Sequence, residues 1–566
     1  MKYFVASVLV SLASLYASGQ TSQIAASANQ SDETAKLQRI KYFYNQRVFP
    51  FKTIPAGARL RALRQLDEME ARENIGVAKL PLLGPIWHVI GPEPLDSAIF
   101  GGTNSGRVTA MAVDPTNPDI VYLGAADGGV WKTLNGGLNW IPMTDFQASL
   151  SIGSLAIAPS DHNVIYVGTG EENFNGDSYS GAGVLRSADG GTSWTLFTGP
   201  FLGSYIGGMA VDPTNSNIVL AAVESVEVGG IYRGIYDPTH NSFTWTNVLN
   251  GLAANQVFFD STGMIAYASL GWLYGDVSNG VYKSVTGGQT WFRVQGSALA
   301  HLPDSCVTTC AVFGAVSNCT TTCSVGRIAL AVAPSNSSVL YAGIQDASSS
   351  TFGTLLGFYQ SMDGGRTWLK RVKTPIYCGK SNGDGGSCWY NNIVAVHPTN
   401  PSIVFAGGDC CTHLIVSLDG GASWTKVGGT MHADTHALAF SSTGDKLYVG
   451  NDGGSYSTTN TTSSSISFTS LNESLATIQF YPGHAIDIHS VKHTLGGTQD
   501  NSAEKYSGTL TWSGVTCGDA GFAAIDPSNS SDAYTACAGE PIGVQKSTSG
   551  GAANTWSAAS TGIVAH

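Results

Sequence analysis

The chain has 566 residues, of which 69 are glycine, and only 12% of its residues are charged. Its 43% hydrophobic and 10% aromatic content can build a large core, which excludes disorder as a description of the whole chain. The net charge of −12 argues against nucleic acid or an anionic membrane as the main partner. Glycine without a three-residue period excludes collagen, and the abundance of turn-forming residues favours an all-β fold.

The amino terminus has the pattern of a secretory signal peptide over residues 1–19. Lys2 is followed by the apolar run Tyr3–Tyr16 and then by small residues at 17–19. This run is too short for a membrane span. No later segment offers about 20 consecutive apolar residues. The sequence therefore predicts a secreted protein, extracellular or periplasmic, with no membrane span.

Residues 20–82 are predicted to form an N-terminal extension that carries one helix. The segment ARLRALRQLDEMEAREN spaces Leu60, Leu63 and Leu66 three residues apart, with charged residues between them. This spacing is typical of an amphipathic helix. We expect the helix to pack on the main body.

Residues 83–566 are predicted to consist of repeats of four short strands. Val108–Met143 shows the unit: two apolar strands joined by DPTNPD, a DGG turn, a third strand, and a glycine hairpin leading to a fourth strand. The closing aromatics of successive units are Trp140, Trp194, Trp245, Trp291, Trp368, Trp424, Phe468, Trp512 and Trp556. Their smallest spacing, 44 residues, is typical of a β-propeller blade. The sequence predicts about nine to ten four-stranded blades, arranged as one large ring or as two propellers.

The hairpin between the third and fourth strands repeats a Ser-x-Asp-Gly-Gly pattern. It reads SADGGTSW at Ser187–Trp194, SMDGGRTW at Ser361–Trp368 and SLDGGASW at Ser417–Trp424. These motifs resemble Asp-box (BNR) repeats, and the resemblance covers roughly residues 85–560. It implies a structural role for the aspartates, which accept hydrogen bonds from the turn amides while glycine adopts a positive φ and Trp packs between blades.

The ten cysteines are expected to form disulfides, because the predicted signal peptide places the chain in an oxidising compartment. They are Cys306, Cys310, Cys319, Cys323, Cys378, Cys388, Cys410, Cys411, Cys517 and Cys537. The first four lie in a cysteine-rich insertion at about 296–325, where nested bridges are favoured over a four-thiolate zinc site. Cys378–Cys388 is a plausible local bridge, although sequence alone does not fix connectivity.

Strand order divides the loops between two faces of the propeller. The hairpins share one face with the turns between the first and second strands, so the second-to-third loops and the blade-to-blade loops share the other. Acidic residues gather in the loops of this second face, which we name the loop face. The predicted substrate-binding residues there are Arg107, Glu171, Glu172, Asp177, Tyr179, Arg327, Asp500 and Asp519.

Asp127 and Asp452 are the predicted catalytic pair. Each precedes Gly-Gly and an aromatic strand at equivalent places in distant units. Xyloglucanase-type two-propeller hydrolases carry catalytic aspartates in a similar Asp-x-Gly-Gly-x-aromatic setting, one residue longer than the pattern here. An inverting hydrolase needs two carboxylates about 6.5–9.5 Å apart, one as acid and one as base. The alternative is that both aspartates only form turns.

Two segments have the composition of metal sites. In MHADTHAL, an extended strand would point His432, Asp434 and His436 to one face, where they could bind a divalent transition metal. A hydrogen-bond cluster at the blade edge is the alternative. The oxygen-rich segment GTGEENFNGDSY could bind calcium but lacks EF-hand spacing.

Two functions follow from these resemblances. The first is a polysaccharide-acting glycoside hydrolase that uses Asp127 and Asp452 on the acidic loop face. The second is a non-catalytic propeller similar to the sortilin type, which binds a peptide, a protein or a glycan. The hydrolase function implies a polysaccharide partner, and the binding function implies a peptide or protein ligand.

Overall fold

The computed structural model describes residues 57–73, 88–97, 99–173, 178–297, 300–313, 316–348, 351–379, 386–409, 414–537 and 543–562, with a few single positions before residue 57. The predicted signal peptide at 1–19 lies outside this part. The expected helix is present as α1, Ala58–Glu73. The side chain of Arg59 on α1 donates to the carbonyls of Asp145 and Gln147, which fastens the helix to the propeller.

Most of the described chain is β-strand. In chain order the strands are β1 Leu95–Ser97, β2 Thr103–Asn104, β3 Val108–Val113, β4 Val121–Ala125, β5 Val130–Thr133, β6 Ile141–Pro142, β7 Ile152–Ala158, β8 Asp161–Thr169, β9 Val184–Ser187, β10 Thr195–Phe197, β11 Tyr205–Asp212, β12 Asn215–Glu224, β13 Gly230–Asp237, β14 Ser242–Asn250, β15 Ala254–Phe259, β16 Ala266–Leu270, β17 Gly280–Ser284, β18 Phe292–Arg293, β19 Gly296–Ser297, β20 Ala300–His301, β21 Cys306–Phe313, β22 Val316–Cys323, β23 Val325–Val332, β24 Leu340–Asp346, β25 Leu355–Ser361, β26 Leu369–Lys370, β27 Ile393–Val396, β28 Val404–Gly407, β29 Leu414–Ser417, β30 Thr425–Val427, β31 Thr435–Phe440, β32 Leu447–Asn451, β33 Gly454–Thr458, β34 Thr469–Ser470, β35 Ala485–Asp487, β36 Ser490–Gly497, β37 Ala503–Tyr506, β38 Trp512–Thr516, β39 Ala520–Ile525, β40 Ala533–Cys537, β41 Gly543–Ser547 and β42 Trp556–Ala558.

Nine antiparallel units of four consecutive strands form the blades of the described chain. They are blade 1 (β3–β6), blade 2 (β7–β10), blade 3 (β11–β14), blade 4 (β15–β18), blade 5 (β23–β26), blade 6 (β27–β30), blade 7 (β31–β34), blade 8 (β35–β38) and blade 9 (β39–β42). Continuous apolar strands such as Val121–Ala125 are buried along their whole length, whereas the outer strand Ile141–Pro142 is exposed. A short apolar run of this kind fits a strand covered on both faces. The all-β propeller prediction is confirmed.

Blades 1 to 7 close into a ring. Each pair of neighbours from blade 1 to blade 7 shares a buried apolar cluster. A seventh cluster joins blade 7 back to blade 1 and includes Val108, Leu123 and Tyr448. Across this junction the Trp140 indole donates to the Leu471 carbonyl at 2.9 Å. Because seven interfaces use up all seven blades, a single ring of nine or ten is excluded for the described residues.

Blades 8 and 9 lie outside the ring and share their own clusters. Blade 8 is extended to six strands by β1 and β2, so that β1 pairs in parallel with β38. The chain therefore starts its β structure in blade 8, enters the ring at blade 1, and returns to blade 8 after blade 7.

The hairpins and turns lie as the strand order predicts. In the hairpin at Ser187, Asp189 Oδ1 accepts hydrogen bonds from the Ser187 hydroxyl at 2.8 Å and the Ser193 amide at 2.9 Å. Gly190 and Gly191 both have positive φ, at 67° and 88°. The Gly190 amide also donates to the carbonyl of Asn163, which lies near the start of β8 just after the first-to-second turn, so the hairpin and this turn share one face.

The described cysteines form three disulfides: Cys306–Cys323, Cys378–Cys388 and Cys517–Cys537. The first links β21 to β22 in the insertion and consumes two of the thiols that the zinc alternative needs. The side chains of Cys310, Cys319, Cys410 and Cys411 lie outside the described residues. In the described part of the chain, every helix falls short of the length and hydropathy that a bilayer span requires.

Candidate functional site

The inner strands of the seven-bladed ring enclose a central channel, which we call the ring channel. Two buried ion pairs lie at its loop-face end. Arg107, just before β3, lies 2.8 Å from Glu171 (Nε to Oε1). Arg327, near the start of β23, lies 3.3 Å from Glu172 (Nη2 to Oε2), and Asn255 donates to the other oxygen of Glu172 at 2.5 Å. All four charged residues are at most 9% exposed. The sequence predicts them as substrate-binding residues, but in this structure they pair with one another across blades.

Tyr390 connects the first pair to Asp452. Its hydroxyl accepts from Arg107 Nη1 at 3.1 Å and donates to Asp452 Oδ2 at 2.7 Å. The other oxygen, Oδ1, lies 2.7 Å from His436 Nε2. Burial alone would raise the pKa of Asp452, but His436 and Arg107 hold it at about 2. Asp452 is thus an ionised carboxylate, 2% exposed, with both oxygens engaged.

Asp500 has the opposite electrostatics. It lies in the loop between β36 and β37 of blade 8, with φ of 59°, and its amide donates to Asp519 Oδ1 at 2.9 Å. Burial, together with the charges of Asp519, Asp452 and Asp434, raises the pKa of Asp500 well above its ordinary value. A small cavity brings Asp452 and Asp500 together. Its lining residues are Gly106, Arg107, Asp452, Gln479, Tyr481, Gln499, Asp500 and Asn501.

Asp127 is exposed in the second-to-third loop of blade 1. The Ala126 amide before it donates to the Arg107 carbonyl at 3.0 Å. The following Gly128 lies against Thr477, since a Cβ at Gly128 would come within 3.3 Å of the Thr477 Cβ. The loop of Asp127 therefore borders the segment in which the chain leaves blade 7 for blade 8.

The backbone that carries the predicted metal ligands of MHADTHAL is not an extended strand throughout. β31 begins only at Thr435, and Asp434 has φ of 61°, so 432–434 is not extended and side chains do not alternate there. His432 Nε2 contacts the Asp500 carbonyl at 2.9 Å, whereas His436 contacts Asp452. Among the described residues no three His, Cys, Asp or Glu side chains are grouped to hold a metal ion.

The second-to-third loop of blade 2 is described only in part. Asp177 and residues 174–176 of the candidate calcium segment lie outside the described residues. Tyr179 is half-buried, and its carbonyl accepts from the Ser151 hydroxyl at 3.0 Å and the Glu171 amide at 3.2 Å. This loop is thus tied to the Arg107–Glu171 pair.

Three polar residues of the site are not predicted from the sequence. Tyr390 bridges Arg107 and Asp452, Asn391 donates to Asp434 Oδ1 at 2.5 Å, and Asn255 binds Glu172. Asn255 lies near the start of an inner strand, as Arg107 does in blade 1, so alignment of the repeat units could have found it. Tyr390 lies in the irregular segment before blade 6, where the repeat pattern gives no signal.

The ring channel contains a cavity of about 200 Å³ beneath these groups. Glu172, Arg327 and His436 line its loop-face end, and the inner strands line the remainder. The cavity is therefore continuous with the polar network.

The chain is similar in sequence to several xyloglucanases. It is 26% identical to a xyloglucanase of Paenibacillus sp over 240 residues, which cover 36% of this chain and 22% of that protein. It is 24% identical to a xyloglucanase of Acetivibrio thermocellus over 379 residues, 59% of this chain and 40% of that protein. The matches thus span well under half of these relatives' length. No protein-family model matches the chain.

Solved structures share the fold. A GH74 enzyme of Niastella koreensis superimposes with a TM-score of 0.55 at 18% identity, covering 81% of this chain and 67% of that one. A GH74 xyloglucanase of Xanthomonas campestris gives 0.51 at 15% identity, covering 80% and 74%. The chain therefore has a β-propeller fold of the kind found in GH74 enzymes.

Proposed function

We propose that this protein is a secreted glycoside hydrolase that cleaves a polysaccharide of the xyloglucan class where blade 8 meets the ring. The observation that carries the proposal is the cavity lined by Asp500, where burial and neighbouring acids raise the pKa of Asp500 well above its ordinary value. In glycoside hydrolysis a carboxyl group with a raised pKa supplies the acid role, and a second, ionised carboxylate supplies the base role. The similarity to xyloglucanases supports the substrate class.

Asp500 is suited to act as the general acid. Burial and the neighbouring acids raise its pKa, which favours the protonated carboxyl group, and the side chain is only half-buried on the wall of the cavity. A protonated carboxyl in this position can donate to the departing glycosidic oxygen. Asp519 and Asp452 assist indirectly, because their charges favour the protonated form of Asp500.

Asp127 is suited to act as the general base. It is exposed to solvent on a loop bonded to Arg107, so its carboxylate can contact a water molecule. In an inverting reaction this carboxylate removes a proton from the water that attacks the anomeric carbon, while the acid protonates the leaving group. Asp452, which the sequence assigns to this pair, is better suited to hold Arg107 and His436 in place, since both of its oxygens are engaged.

The proposal is tested by release of reducing ends from soluble xyloglucan and mixed-linkage β-glucan. We expect Asp127→Asn and Asp500→Asn each to lower kcat by about 100-fold or more, because each removes one proton transfer. Asp161→Asn, an exposed aspartate on the opposite face, is the control and is expected to keep the wild-type rate. Wild-type rates in both site variants would remove these residues from the mechanism. Polymer binding without any release of reducing ends would contradict the hydrolase proposal.

A further inference from the structure

Three aromatic rings form a patch on the loop face of blades 4 and 5. Trp272 and Tyr274 lie in the loop between β16 and β17, and Phe352 lies in the equivalent loop of blade 5. The Tyr274 centroid is 5.8 Å from that of Trp272 and 5.6 Å from that of Phe352, with Tyr274 and Phe352 inclined by only 16°. Tyr274 is 56% exposed, and the other two rings are half-buried. Tyr274 and Phe352 are thus nearly parallel, and Tyr274 leaves more than half of its surface open to solvent.

Further rings connect this patch to the carboxylate network. Gly353, next to Phe352, lies against Trp389, since a Cβ at Gly353 would come within 2.9 Å of Trp389 Cδ1. The Trp389 centroid is 5.6 Å from that of Tyr390, which lies 4.5 Å from the His436 ring. Tyr390 and His436 both bond Asp452. The row of aromatic side chains therefore runs from blade 4 across the propeller to the proposed reaction site.

The loop of Trp272 and Tyr274 is held rigidly. Asn279, 1% exposed, binds the backbone of Trp272 twice, as acceptor from its amide at 2.8 Å and as donor to its carbonyl at 2.9 Å. Gly275 has φ of 82° and lies against Cys323 of the Cys306–Cys323 disulfide. The insertion hairpin thus supports the loop from beneath.

The loop of Phe352 is fixed to a second disulfide. The Cys388 amide donates to the Gly353 carbonyl at 2.8 Å, and the Gly386 amide donates to the Phe352 carbonyl at 3.2 Å. Cys388 is bonded to Cys378. Rings held in place before binding lose little conformational freedom when a ligand docks, which favours affinity.

We propose that Trp272, Tyr274 and Phe352 form a polysaccharide-binding surface that lies beyond the reaction site and guides the polymer toward it. The flat C–H faces of pyranose rings pack on exposed aromatic rings as other apolar surfaces do. The half-buried Ser348 hydroxyl and the exposed Thr351 hydroxyl, which bond each other at 2.8 Å beside Phe352, can also bond sugar hydroxyl groups. The choice of polymer rests on the proposed function, whereas the presence of the surface rests on the ring geometry alone.

The surface is tested by electrophoresis of the folded protein in native gels with and without soluble xyloglucan. We expect Tyr274→Ala to raise the Kd for the polymer about tenfold, because it removes the most exposed ring. Tyr274→Phe keeps the ring and is expected to keep the wild-type Kd. The matched control is Phe292→Ala, which removes a ring 50% exposed on β18 of the same blade and is expected to have no effect.

Hydrolysis measured beside binding separates this inference from the proposed function. If the surface guides the polymer, Tyr274→Ala raises KM for xyloglucan but leaves turnover of a short xyloglucan oligosaccharide unchanged. Suppose that the wild-type protein hydrolyses xyloglucan and that Tyr274→Ala binds and cleaves it equally well. This result overturns the proposed binding surface and leaves the hydrolase proposal intact. Polymer binding that depends on Tyr274 without any hydrolysis supports the surface and overturns the hydrolase. Retention of wild-type Kd by Tyr274→Ala overturns the surface in either case.

Discussion

Asp452 and Asp500 line one cavity, and their pKa values shift in opposite directions because their neighbours differ. Asp452 faces Arg107, the Tyr390 hydroxyl and His436, which outweigh its burial and keep it ionised. Asp500 faces other acids, so burial and repulsion act in the same direction. The residue type alone therefore does not determine the chemistry at this site.

Asp434 provides a test of this electrostatic picture. Burial and the charge of Asp452 raise the pKa of Asp434 to about 8, whereas an unfolded aspartate titrates near 3.9. Between these values the folded state holds a proton that the unfolded state has lost, so the contribution of Asp434 to the free energy of unfolding falls as pH rises. We expect Asp434→Asn to make stability less dependent on pH between 5 and 8, as measured by urea unfolding.

The control for this experiment is Asp161→Asn, which changes an exposed aspartate. It is expected to leave the pH dependence of unfolding as in the wild type. An unchanged slope in Asp434→Asn would show that Asp434 ionises normally in the folded protein.

Single residues mark the limit of sequence reasoning at this site. The metal hypothesis for His432, Asp434 and His436 assumed an extended backbone, and the positive φ of Asp434 breaks that assumption. Tyr390 bonds Arg107, 283 residues away, and Asp452, 62 residues away. No local pattern reports partners at such separations, so the acidic loops are predictable and the network that joins them is not.

At the scale of elements, the hairpins follow directly from sequence because their contacts are local. In the hairpin at Ser417, the buried hydroxyl accepts from the Gly421 amide at 2.7 Å and donates to Asp419 Oδ1 at 2.8 Å. Every partner lies within four residues, so the Ser-x-Asp-Gly-Gly pattern contains the whole motif. The same locality explains why α1 is correctly predicted from its leucine spacing.

Ser417→Ala is expected to lower the free energy of unfolding by about 1–2 kcal/mol, because it leaves the buried Gly421 amide without its acceptor. Chemical denaturation followed by tryptophan fluorescence measures the change. Ser423→Ala is the comparison within the same hairpin, since its exposed hydroxyl bonds only the exposed Asp419 carboxylate and water can replace it. We expect a loss below about 0.5 kcal/mol there. Equal losses in the two variants would contradict the assigned role of Ser417.

At the scale of the whole molecule, sequence counts the blades but does not locate the closure. The repeat predicts about nine to ten blades, and nine blades are present in the described chain. Closure after the seventh depends on Val108 packing with Tyr448 and on Trp140 bonding Leu471. These contacts join residues more than 300 positions apart, so no local repeat pattern marks them.

Gly106 tests the junction between the ring and blade 8. A Cβ at this position would overlap the Thr477 carbonyl, and the Gly106 amide donates to the Thr477 hydroxyl at 3.1 Å. We expect Gly106→Ala to lower the free energy of unfolding by about 1–3 kcal/mol through overpacking, as measured by denaturation. Gly429→Ala is the control, since no atom lies within 4 Å of its added Cβ. Wild-type stability in Gly106→Ala would show that the junction accommodates the added methyl group, which contradicts the expected overpacking.

The chain crosses between blade 8 and the ring twice, at 104–108 and at 470–485. A single linker would let blade 8 rotate freely against the ring, whereas two separate crossings of the chain restrict that rotation. Asp127 lies on the ring side of these crossings and Asp500 on the blade 8 side, so the two crossings tie together the two parts of the chain that carry the proposed base and acid.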